Sequence, residues 1–117
     1  MKHPNLIADL SFNFAIEIVR LCKKLIDQKE FILSKQLLRS GTSIGANVQE
    51  ASAGQTKRDF ITKMAIASKE ARETKYWLCL LKQSQIFAID YSHYLQDIEA
   101  IINVLTKIVK TAQQRLL

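Results

Sequence analysis

Between Ile7 and Ala112 the apolar residues of this chain recur at alternating steps of four and three in four separate runs. A repeat near 3.6 residues puts one side of an α-helix against a partner, so the pattern calls for helices and argues against strands, whose sides alternate every second residue. In the first run two rows lie side by side: Ala8, Phe12, Ala15, Val19, Cys22 and Ile26, and then Ile7, Leu10, Phe14, Ile18, Leu21 and Leu25. Together they form a broad apolar face. The remaining strip, with Asp9, Asn13, Glu17, Arg20, Lys24 and Asp27, is what solvent would meet.

The second run extends from about Leu33 to Ala53, with Leu37, Gly41, Ile44, Val48 and Ala51 on one stripe and Ser40, Ser43, Asn47 and Glu50 on a polar stripe beside it. The third begins at Thr56, a good N-cap with Asp59 three residues on, and continues through Phe60, Met64, Ala67, Ala71, Thr74, Leu78 and Leu81. The fourth opens near Asp90 or Ser92 and follows Tyr91, Tyr94, Ile98, Ile101, Leu105, Ile108 and Ala112. Helices of roughly 30–40 Å joined by short connections must fold back on one another. The expected fold is therefore all-α, an antiparallel up-down-up-down four-helix bundle spanning residues 1–117 as a single domain. Its joints are "QKE", "GQ" and "QIFA".

A chain of 117 residues can bury a full core without staples, and its single proline, Pro4, precedes the first apolar run, where a helix start tolerates it. Cys22 and Cys79 sit inside helical stretches without CxxC or histidine spacing, which predicts reduced core residues in a cytoplasmic protein. No apolar run is long enough to cross a bilayer, and "MKHPNLIADL" reaches an acidic residue too soon for a signal peptide. The net charge of +6 is uneven: residues 1–19 carry −1, residues 20–82 carry +7 and residues 83–117 carry zero. A basic middle suits an acidic partner such as nucleic acid, and equally a solvated positive surface.

All three glycines fall within "RSGTSIGANVQEASAG". A phosphate-binding loop would need a preceding strand and a Gly-Lys-Ser/Thr ending, because backbone amides and lysine must converge on one polyphosphate. Neither is present. Gly41 and Gly45, one turn apart, instead predict close approach of a neighbouring helix, which packing must hold because glycine weakens a helix by ~1 kcal/mol. If buried, the polar stripe needs partners, and Arg39, Lys63, Ser68 and Glu70 are the candidates. Such a stripe is a structural network or a functional site. The six apolar residues "YWLCLL", Tyr76 to Leu81, surround their helix, which predicts contact with another copy of the chain, or else Trp77 lying along the bundle rim.

Enzyme chemistry finds little support. His3 and His93 lack a metal-ligand companion at helical spacing, and Glu70 and Glu73 lack the facing histidines or carboxylates of a di-metal site. No arginine shortly precedes a histidine, as a helical ribonuclease would require. The expectation is a non-enzymatic protein with no cofactor and no metal.

The blocks "LLRSGTSIGANVQEA" and "KRDFITKMAIASKEARETKYWL", set on four helices, resemble the bacterial four-helix-bundle family that includes proteins encoded by intervening sequences within large-subunit ribosomal RNA genes. The resemblance covers essentially the whole chain. It implies an up-down bundle assembling into a homo-oligomer, a five-membered ring with a central channel. A related branch, the accessory proteins of diversity-generating retroelements, is a basic ring that binds a reverse transcriptase and nucleic acid. Where that family commonly reads "RRAAVSIPSNIAEG", Arg39, Ser43, Ile44, Asn47 and Glu50 match, while Gly45 replaces the proline. The resemblance makes Arg39, Ser43, Asn47 and Glu50 signature residues of structural character. Glu70, a candidate partner of the polar stripe, is grouped with them as structural.

The functional expectation is a pentameric, basic accessory protein that binds RNA or DNA through phosphate contacts. Its candidate donors are Lys57, Arg58, Lys69, Arg72 and Lys75 on the third helix and Lys23 and Lys24 on the first. Tyr76 is the one aromatic expected to be exposed near them. The competing expectation is a scaffold for a protein partner such as a polymerase.

Overall fold

The computed structural model describes residues 6–117, and the expectations placed on His3 and Pro4 lie outside them. Four helices, α1 (Leu6–Asp27), α2 (Leu33–Ser52), α3 (Lys57–Ser84) and α4 (Ser92–Leu116), form the expected antiparallel bundle. Each packs on its chain neighbour and α1 closes against α4, so α1 and α3 lie diagonally, as do α2 and α4. The core is the set of predicted stripes: Ile18, Leu21, Leu25, Leu37, Ile44, Leu78, Leu81, Ile98 and Leu105 are all fully buried.

On α1 one of the two apolar rows supplies most of the core residues, and the other adds Cys22. Ile7, Phe14, Ile18, Leu21 and Leu25 are buried, whereas Phe12, Val19 and Ile26 of the row that holds Cys22 are 66%, 50% and 44% exposed. Two neighbouring helices cover about half of a helix surface, and these three positions, seven residues apart, fall on the uncovered shoulder toward α2.

The two glycines of α2 lie against α1 in different ways. A Cβ on Gly41 would come 2.8 Å from Cγ2 of Ile18, and one on Gly45 would come 3.4 Å from the Ser11 hydroxyl and 3.5 Å from the Ser11 carbonyl group. Ser11, fully buried at this contact, spends its own hydroxyl on the Ile7 carbonyl at 2.7 Å. The close approach predicted from sequence is present.

The helix ends are held by specific groups. At the end of α1 Lys29 takes a left-handed conformation with φ of 66°, and the amides of Lys29 and Glu30 bond back to Ile26 and Leu25 at 2.8 and 2.9 Å. This is a Schellman closure carried by a lysine where glycine is usual. The Glu30 carboxylate then accepts the amides of Ile32, Leu33 and Ser34 at 3.2, 3.1 and 2.7 Å, capping α2. Thr56 caps α3 by accepting the Asp59 amide at 3.0 Å, as its sequence position predicts. Asp90 accepts the Ser92 amide ahead of α4 at 2.9 Å, and its hydrogen bonds with Ser92 hold its carboxyl below the usual range.

Candidate nucleic-acid interface

The polar stripe of α2 is satisfied partly by its own helix and partly by α3. Ser43 donates to the Arg39 carbonyl at 2.6 Å and Asn47 to the Ser43 carbonyl at 2.8 Å, so neither reaches α3. Ser40 is fully buried and its hydroxyl lies 2.9 Å from that of Thr74, which in turn sits 2.8 Å from the Glu70 carbonyl. Thr74 was readable as part of an apolar stripe, but its role as the partner of Ser40 was not. Ser68, proposed from sequence as a partner for this stripe, instead lines a groove with Thr106 and Val109 on the α4 side.

Three of the signature residues, Arg39, Glu50 and Glu70, meet partners across the α2–α3 seam. The Arg39 guanidinium pairs with Glu70 at 3.3 Å and with Glu73, and Lys63 pairs with Glu50 at 2.7 Å. Glu73 also accepts the Trp77 indole N–H at 3.0 Å. Both carboxylates on α3 thus spend their charge on one arginine, an arrangement that ties two helices together and fixes Trp77. Within "YWLCLL", Leu78 and Leu81 are buried, Trp77 and Cys79 are half-buried, and only Tyr76 and Leu80 are exposed. The larger uncovered apolar surface is on α1. Cys79 is therefore less enclosed than the sequence suggested. Cys22 is buried, and burial first, then the Glu30 charge, pushes its thiol up to about 11.

The seven cations singled out from sequence do not form one surface. Lys23 and Lys24 are exposed on α1, diagonal to α3, and Lys23 pairs with Asp27 at 3.5 Å. On α3, Lys57, Arg58, Lys69, Arg72 and Lys75 occupy about a third of the circumference, given 3.6 residues per turn. Arg72 donates to the Thr106 hydroxyl on α4 at 3.0 Å. Lys75 is engaged by Glu99 at 2.7 Å, and that carboxylate holds its ammonium above the ordinary value.

A model of the 23S rRNA-intervening sequence protein family matches residues 5–107. The chain belongs to this family. A solved structure of a protein with unknown function from the S23 ribosomal protein family of Bacteroides thetaiotaomicron VPI-5482 is similar to it. The two are 49% identical with a TM-score of 0.86, over 92% of this chain and 97% of that one. No curated protein matches the chain.

In this member of the 23S rRNA-intervening sequence protein family, the antiparallel packing of α3 on α4 adds three cations that the segment charges concealed. Asp90 just ahead of α4 and Asp97 and Glu99 toward its start offset Lys107, Lys110 and Arg115 toward its end, so residues 83–117 sum to zero. Folding sets that basic end beside the beginning of α3. Lys57, Lys107 and Arg115 line one groove, and Arg72 and Lys110 line another. Among the described residues none of these five has a carboxylate within ion-pair distance. Reading charge by helix half rather than by segment would have exposed them. Also among the described residues, no three His, Cys, Asp or Glu side chains converge as metal ligands would, and no helix is long and apolar enough to cross a membrane.

Proposed function

We propose that this protein is a non-enzymatic accessory protein of the cytoplasm that self-associates and binds RNA or DNA through phosphate contacts along the α3–α4 seam. One observation carries the reading: Lys57, Arg72, Lys107, Lys110 and Arg115 flank that seam without carboxylate partners among the described residues. Arg58 and Lys69 extend the same basic surface onto the exposed side of α3. Four to five phosphate contacts predict binding that tolerates sequence and weakens roughly a hundredfold or more between ~50 and ~200 mM salt. Anisotropy titrations with RNA and DNA oligonucleotides at both salt concentrations test this, and absence of binding at low salt, or binding indifferent to salt, refutes it.

The family to which the chain belongs is described through 23S rRNA intervening sequences, which is consistent with a nucleic-acid setting. The exposed row of Phe12, Val19 and Ile26 supports the self-association, since an uncovered heptad stripe on one helix is a surface a second copy can cover. Five copies would match the ring that the sequence resemblance implies, and sedimentation velocity measures the number directly. That same stripe favours a second reading, a scaffold for a protein partner such as a reverse transcriptase. It predicts a partner whose capture survives nuclease treatment and is lost in Phe12→Lys.

A further inference from the structure

The groove between the first turn of α3 and the last turns of α4 encloses about 450 Å³, a size ordinary for a small-ligand site. Its floor is apolar, made by Phe60, Ile108 and Ala112, and its cations are Lys57, Lys107 and Arg115. Asp59, the acid of the α3 first turn, lines a different groove with Glu50 and Lys63. The first groove is thus positively charged around a largely apolar surface, with Thr111 the one uncharged polar side chain of its lining, and Phe60 is half-buried there with part of its ring accessible. The sequence pointed to Tyr76 as the aromatic available to nucleic acid; the structure adds Phe60 beside unpaired cations.

We infer that this groove holds an unpaired nucleotide of a single strand, its base against Phe60 and its flanking phosphates on Lys57, Lys107 and Arg115. The inference rests on the nucleic-acid reading above and names the strand form and the contact. A duplex presents phosphates but keeps its base faces stacked, so it can satisfy the cations and not the floor. A single strand offers both, and base-to-aromatic contact is indifferent to sequence because every base has a flat face. A polyglutamate peptide, with no flat or apolar face, would meet the cations alone.

The test is anisotropy with a fluorescein-labelled oligo(U) of ten nucleotides and a duplex of equal length, against the full chain, Phe60→Leu, and the double variant Lys107→Gln/Arg115→Gln. Circular dichroism confirms that each variant melts as a folded protein. The expected result is tighter binding of oligo(U) than of duplex, with Phe60→Leu weakening oligo(U) about fivefold or more and leaving the duplex unchanged. The double variant, both of whose sites are on the surface and outside the core, lowers the salt slope for oligo(U) by about 1.4. Equal binding of strand and duplex, or oligo(U) binding unmoved by the double variant, overturns the groove while leaving the seam reading intact. So does complete displacement by a polyglutamate peptide at matched charge. Loss of both nucleic acids at low salt in the unaltered protein removes the seam reading and the groove together.

Discussion

Replacing Gly41 and Gly45 separately by alanine should move stability in opposite directions. Alanine is favoured over glycine in a helix interior by ~1 kcal/mol, so both substitutions begin with the same gain. At Gly45 the new methyl meets Ser11 at 3.4 and 3.5 Å, ordinary contact distances, so most of that gain survives and the variant is stabilised by about 0.5–1 kcal/mol. At Gly41 the methyl would meet Ile18 Cγ2 at 2.8 Å, Cγ1 at 3.2 Å and Cβ at 3.3 Å. Ile18 is fully buried and β-branched, so it has no alternative rotamer into which to retreat and α1 must move away from α2. Overpacking of this kind costs roughly 1–3 kcal/mol, which offsets the helical gain and leaves Gly41→Ala destabilised by up to about 2 kcal/mol. The assay is urea denaturation followed by circular dichroism, with Ile18→Ala as the second arm of a double-mutant cycle. Ile18→Ala alone creates a cavity costing roughly 2–5 kcal/mol, and the Gly41 methyl should fill part of it, giving a favourable coupling of about 1–3 kcal/mol. Shifts of the same sign for both glycines, or a coupling near zero, would refute the reasoning that the α1–α2 distance is set at Gly41.

Three further outcomes follow from the helix ends and the buried thiol. Glu30→Ala removes the acceptor of three α2 amides and should cost about 1–2 kcal/mol in urea denaturation, with Glu30→Gln losing less because one oxygen remains. Lys29→Gly relieves a left-handed residue and should stabilise by about 0.5–1 kcal/mol, visible as a raised urea midpoint. The Cys22 thiol ordinarily titrates near 9.0 and is pushed up to about 11 in the folded chain. Between those values the unfolded state loses its proton first, so stability is fully present below about pH 9 and falls as pH rises toward 11. Cys22→Ala should flatten that part of the pH profile, measured as the urea midpoint at half-unit pH steps.

The helices were legible because the four-three spacing is imposed by burial, and burial is what holds them: Leu37, Ile44, Leu78, Ile98 and Leu105 were all placed correctly. Thr56 was legible because its capping chemistry is local. What escaped is what depends on more than one helix. Both apolar rows of α1 look alike in sequence, and only the positions of α2 and α4 decide that Phe12, Val19 and Ile26 stay outside. Glu30 read as a loop residue, since a carboxylate three residues ahead of a helix caps it only if the chain turns as Lys29 makes it turn. The polar stripe suggested partners on α3, and Ser40 with Thr74 and Glu50 with Lys63 find them there, whereas Ser43 and Asn47 bond their own helix. For the candidate site, the α3 cations were visible but their companions Lys107, Lys110 and Arg115 were masked by acids earlier in α4. Only antiparallel pairing separates the two halves. Lys23 and Lys24 looked equivalent to the α3 cations and turn out to sit on the diagonal helix.

Comparing the salt dependence of RNA binding in two double variants locates the interface most directly. Arg72→Gln/Lys110→Gln strips two charges from the α3–α4 seam, and Lys23→Gln/Lys24→Gln strips two from α1. With each phosphate contact contributing about 0.7–0.9 to the slope of log K against log salt, the seam variant should lose about 1.4–1.8 and the α1 variant nothing. An α1 variant that loses as much as the seam variant, or a seam variant with an unaltered slope, would contradict the assignment of nucleic-acid binding to the junction of α3 and α4.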